Sequence, residues 1–289
     1  MKIAYFDCFA GISGDMVIGA LLDLGLDPAV LEYELCKLPL EGYRLQVSRV
    51  EKCGIQTTHF QVILTDATGE HLADAEFQEV EQPAETHHPH HHTQHAHPHR
   101  SLTEIIRLIQ DSHLSAAVKS TACQIFTRLG QAEARVHGVS LEQVHFHEVG
   151  GIDAIVDIVG AAIGLEQLGL ERIYASPLHL GSGFVRCAHG LFPVPAPATA
   201  NLIAGVPVYS SAVKGELVTP TGAAIITTLA QQFGPLPAMV IQATGYGAGS
   251  RDREIPNVLR VFLGYRKIID QESRNLTSEC TTPILSLTQ

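Results

Sequence analysis

The densest group of side chains able to do chemistry is "HFHEVGGIDAIVDIVG", residues 145–160. His145 and His147 are two apart, so an extended segment presents both on one side. Glu148 adjoins them, and Asp153 and Asp157 are four apart, sharing a face if their segment is helical. Imidazoles with carboxylates suit nickel, zinc or iron, and either group can accept a proton. Asp157 is the telling residue. It sits between Val156 and Ile158 in an otherwise apolar helical pattern, and a carboxylate drawn into apolar surroundings needs a partner. The plain alternative is a buried strand histidine beside helix-capping acids.

Four further motifs carry polar residues at special places. In "DCFAGISGDM" a strand ends at Asp7, Gly11 and Gly14 flank Ser13, and Asp15 opens a helix. Such a turn offers backbone N–H groups and a helix N-terminus to an anion. Its two aspartates could instead hold a cation, or Ser13 or Asp15 could simply cap the helix. It is not a Walker P-loop, because the Gly-Lys-Ser/Thr ending is missing. In "LVTPTGAA", Thr219, Thr221 and Gly222 stand where a helix begins and would cradle a phosphate, or only cap. In "HLGSGFVRCAHGLFPVPAPAT", His179 and His189 flank a glycine turn and Arg186, a set that could line an anionic ligand pocket. In "GYGAGSRD", Arg251 follows Gly245, Gly247 and Gly249, which permit close backbone approach. No Ser-His-Asp or Cys-His nucleophile is evident, and Cys8 reads as a small packed residue.

The run "THHPHHHTQHAHPH" holds His87, His88, His90, His91, His92, His95, His97 and His99, half of the 16 histidines. It is a working metal site, a metal reservoir or a biased disordered stretch; adjacent histidines without a scaffold fix no single coordination geometry.

The elements that must position these residues form an α/β pattern: mixed sheets with flanking helices and a long His-rich disordered loop over residues 66–100. Strands are predicted at 2–7, 43–51 and 55–65, the last two joined by a Cys53-Gly54 turn. Helices are predicted over "VIGALLDLG", 28–38, 101–111 (with a Ser101/Glu104 capping box), 114–137 and 152–169. In the second half "RIYASPLHLG" and "VPVYS" read as strands. A proline-rich loop runs into a short helix, "TPTGAAIITTLAQQFG" is a helix, and "MVIQATGYGAG" and "NVLRVFLG" are closing strands. A boundary near residue 170 is weakly marked, and the tail 265–289 reads as disordered.

At 289 residues, 45% hydrophobic and 17% charged, the chain is globular. A net charge of −11 weighs against a nucleic-acid partner. No apolar run reaches the roughly 18 residues of a membrane span. The N-terminus reads as a strand rather than a signal peptide, and six scattered cysteines suit reduced thiols in a cytoplasmic protein.

Taken together, "YFDCFAGISGDM", "HFHEVGGIDAIVDIVGA", "HGLFPVPAPATANLI", "ELVTPTGAAIITTLA" and "GYGAGSRDREIPNVLRVFLG" resemble the N-terminal part of the LarC family, nickel-insertion proteins of nickel-pincer nucleotide biosynthesis. The resemblance covers Met1 to about Gly264 and includes the histidine-rich insertion. It implies nickel insertion into pyridinium-3,5-bisthiocarboxylic acid mononucleotide, a lyase-type reaction forming two Ni–S bonds and one Ni–C bond for the cofactor of lactate racemase. It also implies CTP with Mg2+ or Mn2+, bound by a C-terminal region that is expected to be missing here or to be supplied as a separate chain. A homo-oligomer is expected.

On this resemblance His147, Asp157 and Asp7 are the catalytic candidates. His145, His147, Glu148 and Asp153, with the histidine run, are the metal candidates. Ser13, Gly14, Asp15, Arg186, His189, Thr219, Thr221, Gly222 and Arg251 are the substrate-binding candidates. The run 87–99 is then a nickel-collecting loop rather than the catalytic centre. The rival readings are a nickel chaperone or store without catalysis, and a phosphate-ester enzyme that uses Asp7, Asp15 and a divalent metal.

Overall fold

The computed structural model describes residues 1–65, 79–80, 100–146, 151–187 and 190–266. The histidine run, His147, Glu148, His189 and the tail from residue 267 lie outside the described residues. The chain forms β1 (Lys2–Asp7), α1 (Gly14–Asp23), α2 (Pro28–Leu35), β2 (Tyr43–Lys52), β3 (Ile55–Leu64), β4 (Glu79–Val80), α3 (Leu102–Asp111), α4 (Ala116–His137) and α5 (Ile152–Gln167). There follow β5 (Arg172–Ala175), β6 (Leu178–His179), β7 (Gly181–Ser182), β8 (Phe184–Cys187), β9 (Gly190–Pro193), α6 (Pro197–Leu202), β10 (Val208–Tyr209), β11 (Gly215–Glu216), α7 (Pro220–Leu229), β12 (Ala230–Phe233), β13 (Val240–Ala248) and β14 (Val258–Tyr265).

Local chemistry sets most of these limits. Gly25, at φ 104°, ends the first helical unit as its sequence position suggests. Cys53 and Gly54 both take positive φ in the turn between β2 and β3. Ser101 and Glu104 form both halves of a capping box on α3. Two stretches depart from expectation. "AQQF", expected as the end of a helix, is strand β12, and Gly190–Pro193, expected as loop, is strand β9. Tertiary pairing decides both: β12 runs parallel to β5, and β9 pairs antiparallel with β8.

A seven-stranded mixed sheet has the order β12-β5-β1-β14-β13-β3-β2. Strands β1, β5 and β12 are parallel, and β14 runs antiparallel to both β1 and β13. Strands from before and after residue 170 thus interleave in one sheet. Helix α1 lies across β13, β3 and β14; α5 packs on α1, and α4 packs on α5, α6 and α7. Side chains alternate through the sheet. Ala4 and Phe6 join the main core beneath the helices. Ile3 and Tyr5 join Tyr174 and Phe262 on the other face. No helix among the described residues is long and apolar enough to cross a membrane.

The seam between α1 and α5 accounts for Gly14 in α1 and for Gly160 and Gly164 in α5. Asp157, Gly160 and Gly164 share one face of α5. A methyl group at Gly160 would lie 2.8 Å from Ile18 Cδ1, and one at Gly164 would lie 2.8 Å from Leu21 Cδ1. On its other side α1 rests on the glycines of β13: a methyl at Gly247 would lie 2.5 Å from Ala20 N, and one at Gly245 would lie 2.6 Å from Leu24 Cγ. The obstacle at Gly247 is helix backbone, whereas at Gly160 it is the movable end of a side chain. Gly247→Ala is therefore expected to cost about 3 kcal/mol in urea denaturation and Gly160→Ala about 1 kcal/mol or less. Equal losses would contradict the rigid placement of α1 on the sheet.

Candidate functional site

Three sequence motifs meet at the start of α1. The loop leaving β1 is pinned by Ile12 N donating to Leu217 O (2.9 Å) and Thr219 N donating to Ile12 O (3.1 Å). Helix α7 then begins directly against this loop: a methyl at Gly222 would lie 2.8 Å from Ser13 Cα. Helix α5 closes the third side, and a methyl at Gly14 would lie 2.6 Å from Asp157 Cβ. Ser13, Gly14, Asp15, Asp157, Thr219 and Gly222 are thereby gathered, with glycine required wherever one backbone meets another element.

The electrostatic centre of the cluster is the carboxyl pair Asp15 and Asp157. Asp15 accepts hydrogen bonds from the Ser13 hydroxyl, from Met16 N–H and from its own N–H. Burial still pushes its carboxyl above the ordinary range, against these bonds and the pull of His59. Asp157 Oδ1 is shielded from solvent and has no hydrogen-bond partner among the described residues. Burial first, then Asp15, then Asp153 raise the Asp157 carboxyl well above its usual range. Two such groups cannot both ionise cheaply, so without a cation the pair retains a proton. His59, on β3, lies 3.3 Å from Ser250 Oγ, and burial lowers its pKa, with Lys52 adding to the effect against Asp15.

The remaining candidates lie elsewhere or are already engaged. Thr219 Oγ1 accepts from Gly222 N (3.1 Å), an ordinary helix cap, and Thr221 is half-buried in the same turn. Asp153 is exposed in the first turn of α5. His145 is exposed on a backbone bridge to Ser101. Arg186 is exposed on β8. Arg251 follows β13, its carbonyl accepting from Asn257 Nδ2 (2.9 Å) and Lys52 Nζ (3.3 Å). Asp7 accepts from Arg260 Nε (3.0 Å) and Nη2. Cys8 is fully buried, and burial pushes its thiol far up, so it is a packed residue and no nucleophile. His59 and Arg260 escaped the sequence reading because each sits in an ordinary alternating strand, with no motif around it.

The described residues contain no group of three or more His, Cys, Asp and Glu side chains that could hold a metal ion. Asp15 and Asp157 are at most part of a ligand set. An open groove of about 700 Å3 lined by Gln110, Lys119, Cys123 and Arg128 shares no residue with the cluster.

The raised Asp157 carboxyl has a consequence for stability. A folded-state pKa above the ordinary 3.8 means that the folded chain holds a proton the unfolded chain has released. Stability therefore falls as pH rises from about 4 through the folded-state pKa, by up to about 1.4 kcal/mol per pH unit. Asp157→Asn is expected to flatten this slope in urea denaturation series and to match or exceed wild-type stability at pH 8. An unchanged slope would remove the carboxyl pair as its source.

Comparison with known proteins gives the family. A family model described as nickel insertion protein matches residues 4–284. A chain from Geobacter sp. (strain M21) is 52% identical over 267 residues, covering 92% of this chain and 62% of its own length. The pyridinium-3,5-bisthiocarboxylic acid mononucleotide nickel insertion protein of Desulfitobacterium hafniense is 48% identical over 264 residues, covering 91% of this chain and 58% of its own length. The protein of the same name from Geobacillus kaustophilus is 49% identical over 265 residues, covering 91% and 60%. This chain thus spans about 58–62% of the length of the curated relatives it matches. No solved structure matches it. The match along nearly the whole chain places this protein in the nickel insertion protein family.

Proposed function

We propose that this chain carries the nickel-handling part of an enzyme that inserts nickel into pyridinium-3,5-bisthiocarboxylic acid mononucleotide. The observation that carries the reading is the Asp15–Asp157 carboxyl pair, with one shielded oxygen left without a partner. A carboxyl pair that retains a proton can exchange it for a cation. It can also accept one. Forming a Ni–C bond on a pyridinium ring releases a ring proton, and an ionised carboxylate within reach can take it.

Asp157 is assigned as the proton acceptor, ionised once a cation has displaced the proton that the pair holds, with Asp15 tuning it. His147 and Glu148 come just before α5 in the sequence and are assigned, with Asp153 and His145, as the further nickel ligands. Imidazole and carboxylate hold nickel less tightly than sulfur ligands do, so the metal passes readily to the two thiocarboxylates of the substrate. The N-termini of α1 and α7, side by side at Ser13 and Gly222, favour the substrate's anionic groups. CTP with Mg2+ or Mn2+ is assigned to the C-terminal region that the resemblance implies, and the product serves lactate racemase. The histidine run supplies nickel to this site. The phosphate-ester alternative needs Asp7 and Asp15 on one cation, and it is disfavoured by the engagement of Asp7 with Arg260. A store without catalysis would use the histidine run and leave the ordered carboxyl pair unexplained.

The decisive experiment supplies nickel, the mononucleotide, CTP and a relative's C-terminal region, and reads activation of apo lactate racemase. Asp157→Asn is expected to lower activation by about 100-fold or more while the protein stays folded. Retained activation would refute the assignment. Deleting residues 86–99 is expected to lower the number of nickel ions bound in calorimetry without changing the circular dichroism of the fold. Unchanged stoichiometry would end the supply role of the run.

A further inference from the structure

A second group of side chains lies at the other end of the loop that leads from β1 to Ser13. Parallel pairing of β10 with β6 sets Tyr209 beside His179 in register, and their rings stack at 4.6 Å with 8° between planes. His179 is locked in place. Its Nδ1 lies 2.6 Å from the Phe9 carbonyl, which can only accept, so Nδ1 carries the proton; Nε2 lies 2.8 Å from Ser211 Oγ. The Tyr209 hydroxyl donates to the same Phe9 carbonyl at 3.4 Å. One face of Tyr209 is thus backed by a fixed, buried imidazole, while the residue as a whole is 43% exposed.

Asp7, the last residue of β1, stands close enough that its charge, after burial, raises the Tyr209 pKa. Its partner Arg260 is fixed in turn between Phe9 (5.5 Å) and Phe262 (4.9 Å). The place is the carboxyl end of a strand in the parallel part of the sheet, where α/β folds bind ligands.

We propose that the open face of Tyr209, backed by His179 and bordered by the Asp7–Arg260 pair, seats a cationic aromatic ring, the pyridinium of a mononucleotide. The inference rests on the substrate reading above and assigns the residues that recognise its ring. An electron-rich phenol with a carboxylate nearby attracts a positively charged ring more than a neutral base of similar size. Asp7 then acts as a recognition group and not as a base, since Arg260 already occupies one of its oxygens. Ring recognition and the carboxyl pair would sit at the two ends of one short loop, Cys8–Ser13.

The test uses the full chain and nicotinate mononucleotide, a stable pyridinium mononucleotide, with uridine monophosphate as the neutral-ring control. Calorimetry gives affinity, and NMR reads the ring-current shift of the pyridinium protons, which a merely structural role for Tyr209 would not produce. The wild-type chain is expected to prefer the pyridinium by about tenfold, and Tyr209→Ala to lose about tenfold in affinity together with the upfield shift. Tyr209→Phe should keep both, because the ring is retained. If the wild-type chain binds the pyridinium and Tyr209→Ala binds it equally well with the same shift, the seat is elsewhere and the substrate reading stands. If the wild-type chain binds no pyridinium mononucleotide, the substrate reading and this inference fall together.

Discussion

The contact between Asp157 and Gly14 sets the terms for everything around it. A carboxyl placed on the buried face of a helix is costly unless something compensates it. Here the face is that of α5, whose other contact positions toward α1 are Gly160 and Gly164. The two helices come together because those positions carry no side chain, and the same closeness presses Asp157 against the first turn of α1. Any side chain at position 14 would separate the helices or displace the carboxyl. Packing in the core and protonation at the site are therefore one constraint seen from two ends.

That constraint is held in place by the sheet. Glycines of β13 let α1 lie in backbone contact with the strand, and the pinned loop between Asp7 and Ser13 fixes where α1 starts. Helix α7 uses the same device, laying Gly222 against the loop. The N-termini of both helices, with their partial positive charge, consequently lie against the same short loop. This softens, without removing, the repulsion between Asp15 and Asp157. Such a place favours anions and exchangeable cations alike.

The far side of the sheet follows different rules. Its residues Asp7, Arg260 and Phe262 are not covered by the helical layer, and they are ordered by mutual contacts: an ion pair stacked between aromatic rings. Partly solvated ion pairs contribute little to stability. Their value here lies in orientation, because Arg260 and Asp7 hold each other at the end of β1, with the guanidinium over the rings of Phe9 and Phe262.

The sequence by itself determined the local elements and the residue types of the site. Periodicity, the Ser101/Glu104 capping box, the Cys53-Gly54 turn and Gly25 located helices and strands within a few residues, because those signals act through neighbours along the chain. Asp157 stood out as a carboxylate in an apolar helix, and Ser13, Asp15 and Gly222 as turn and helix-start residues. Only the tertiary structure decided which of these motifs meet. Asp15 and Asp157 are far apart in sequence, and nothing in either segment says that Gly14 is the surface on which the two helices touch. The pairing of Asp7 with Arg260, the stack of Tyr209 on His179 and the strand at Ala230–Phe233 were likewise invisible. Each depends on strand order, a long-range outcome of burying one core that local propensity does not encode.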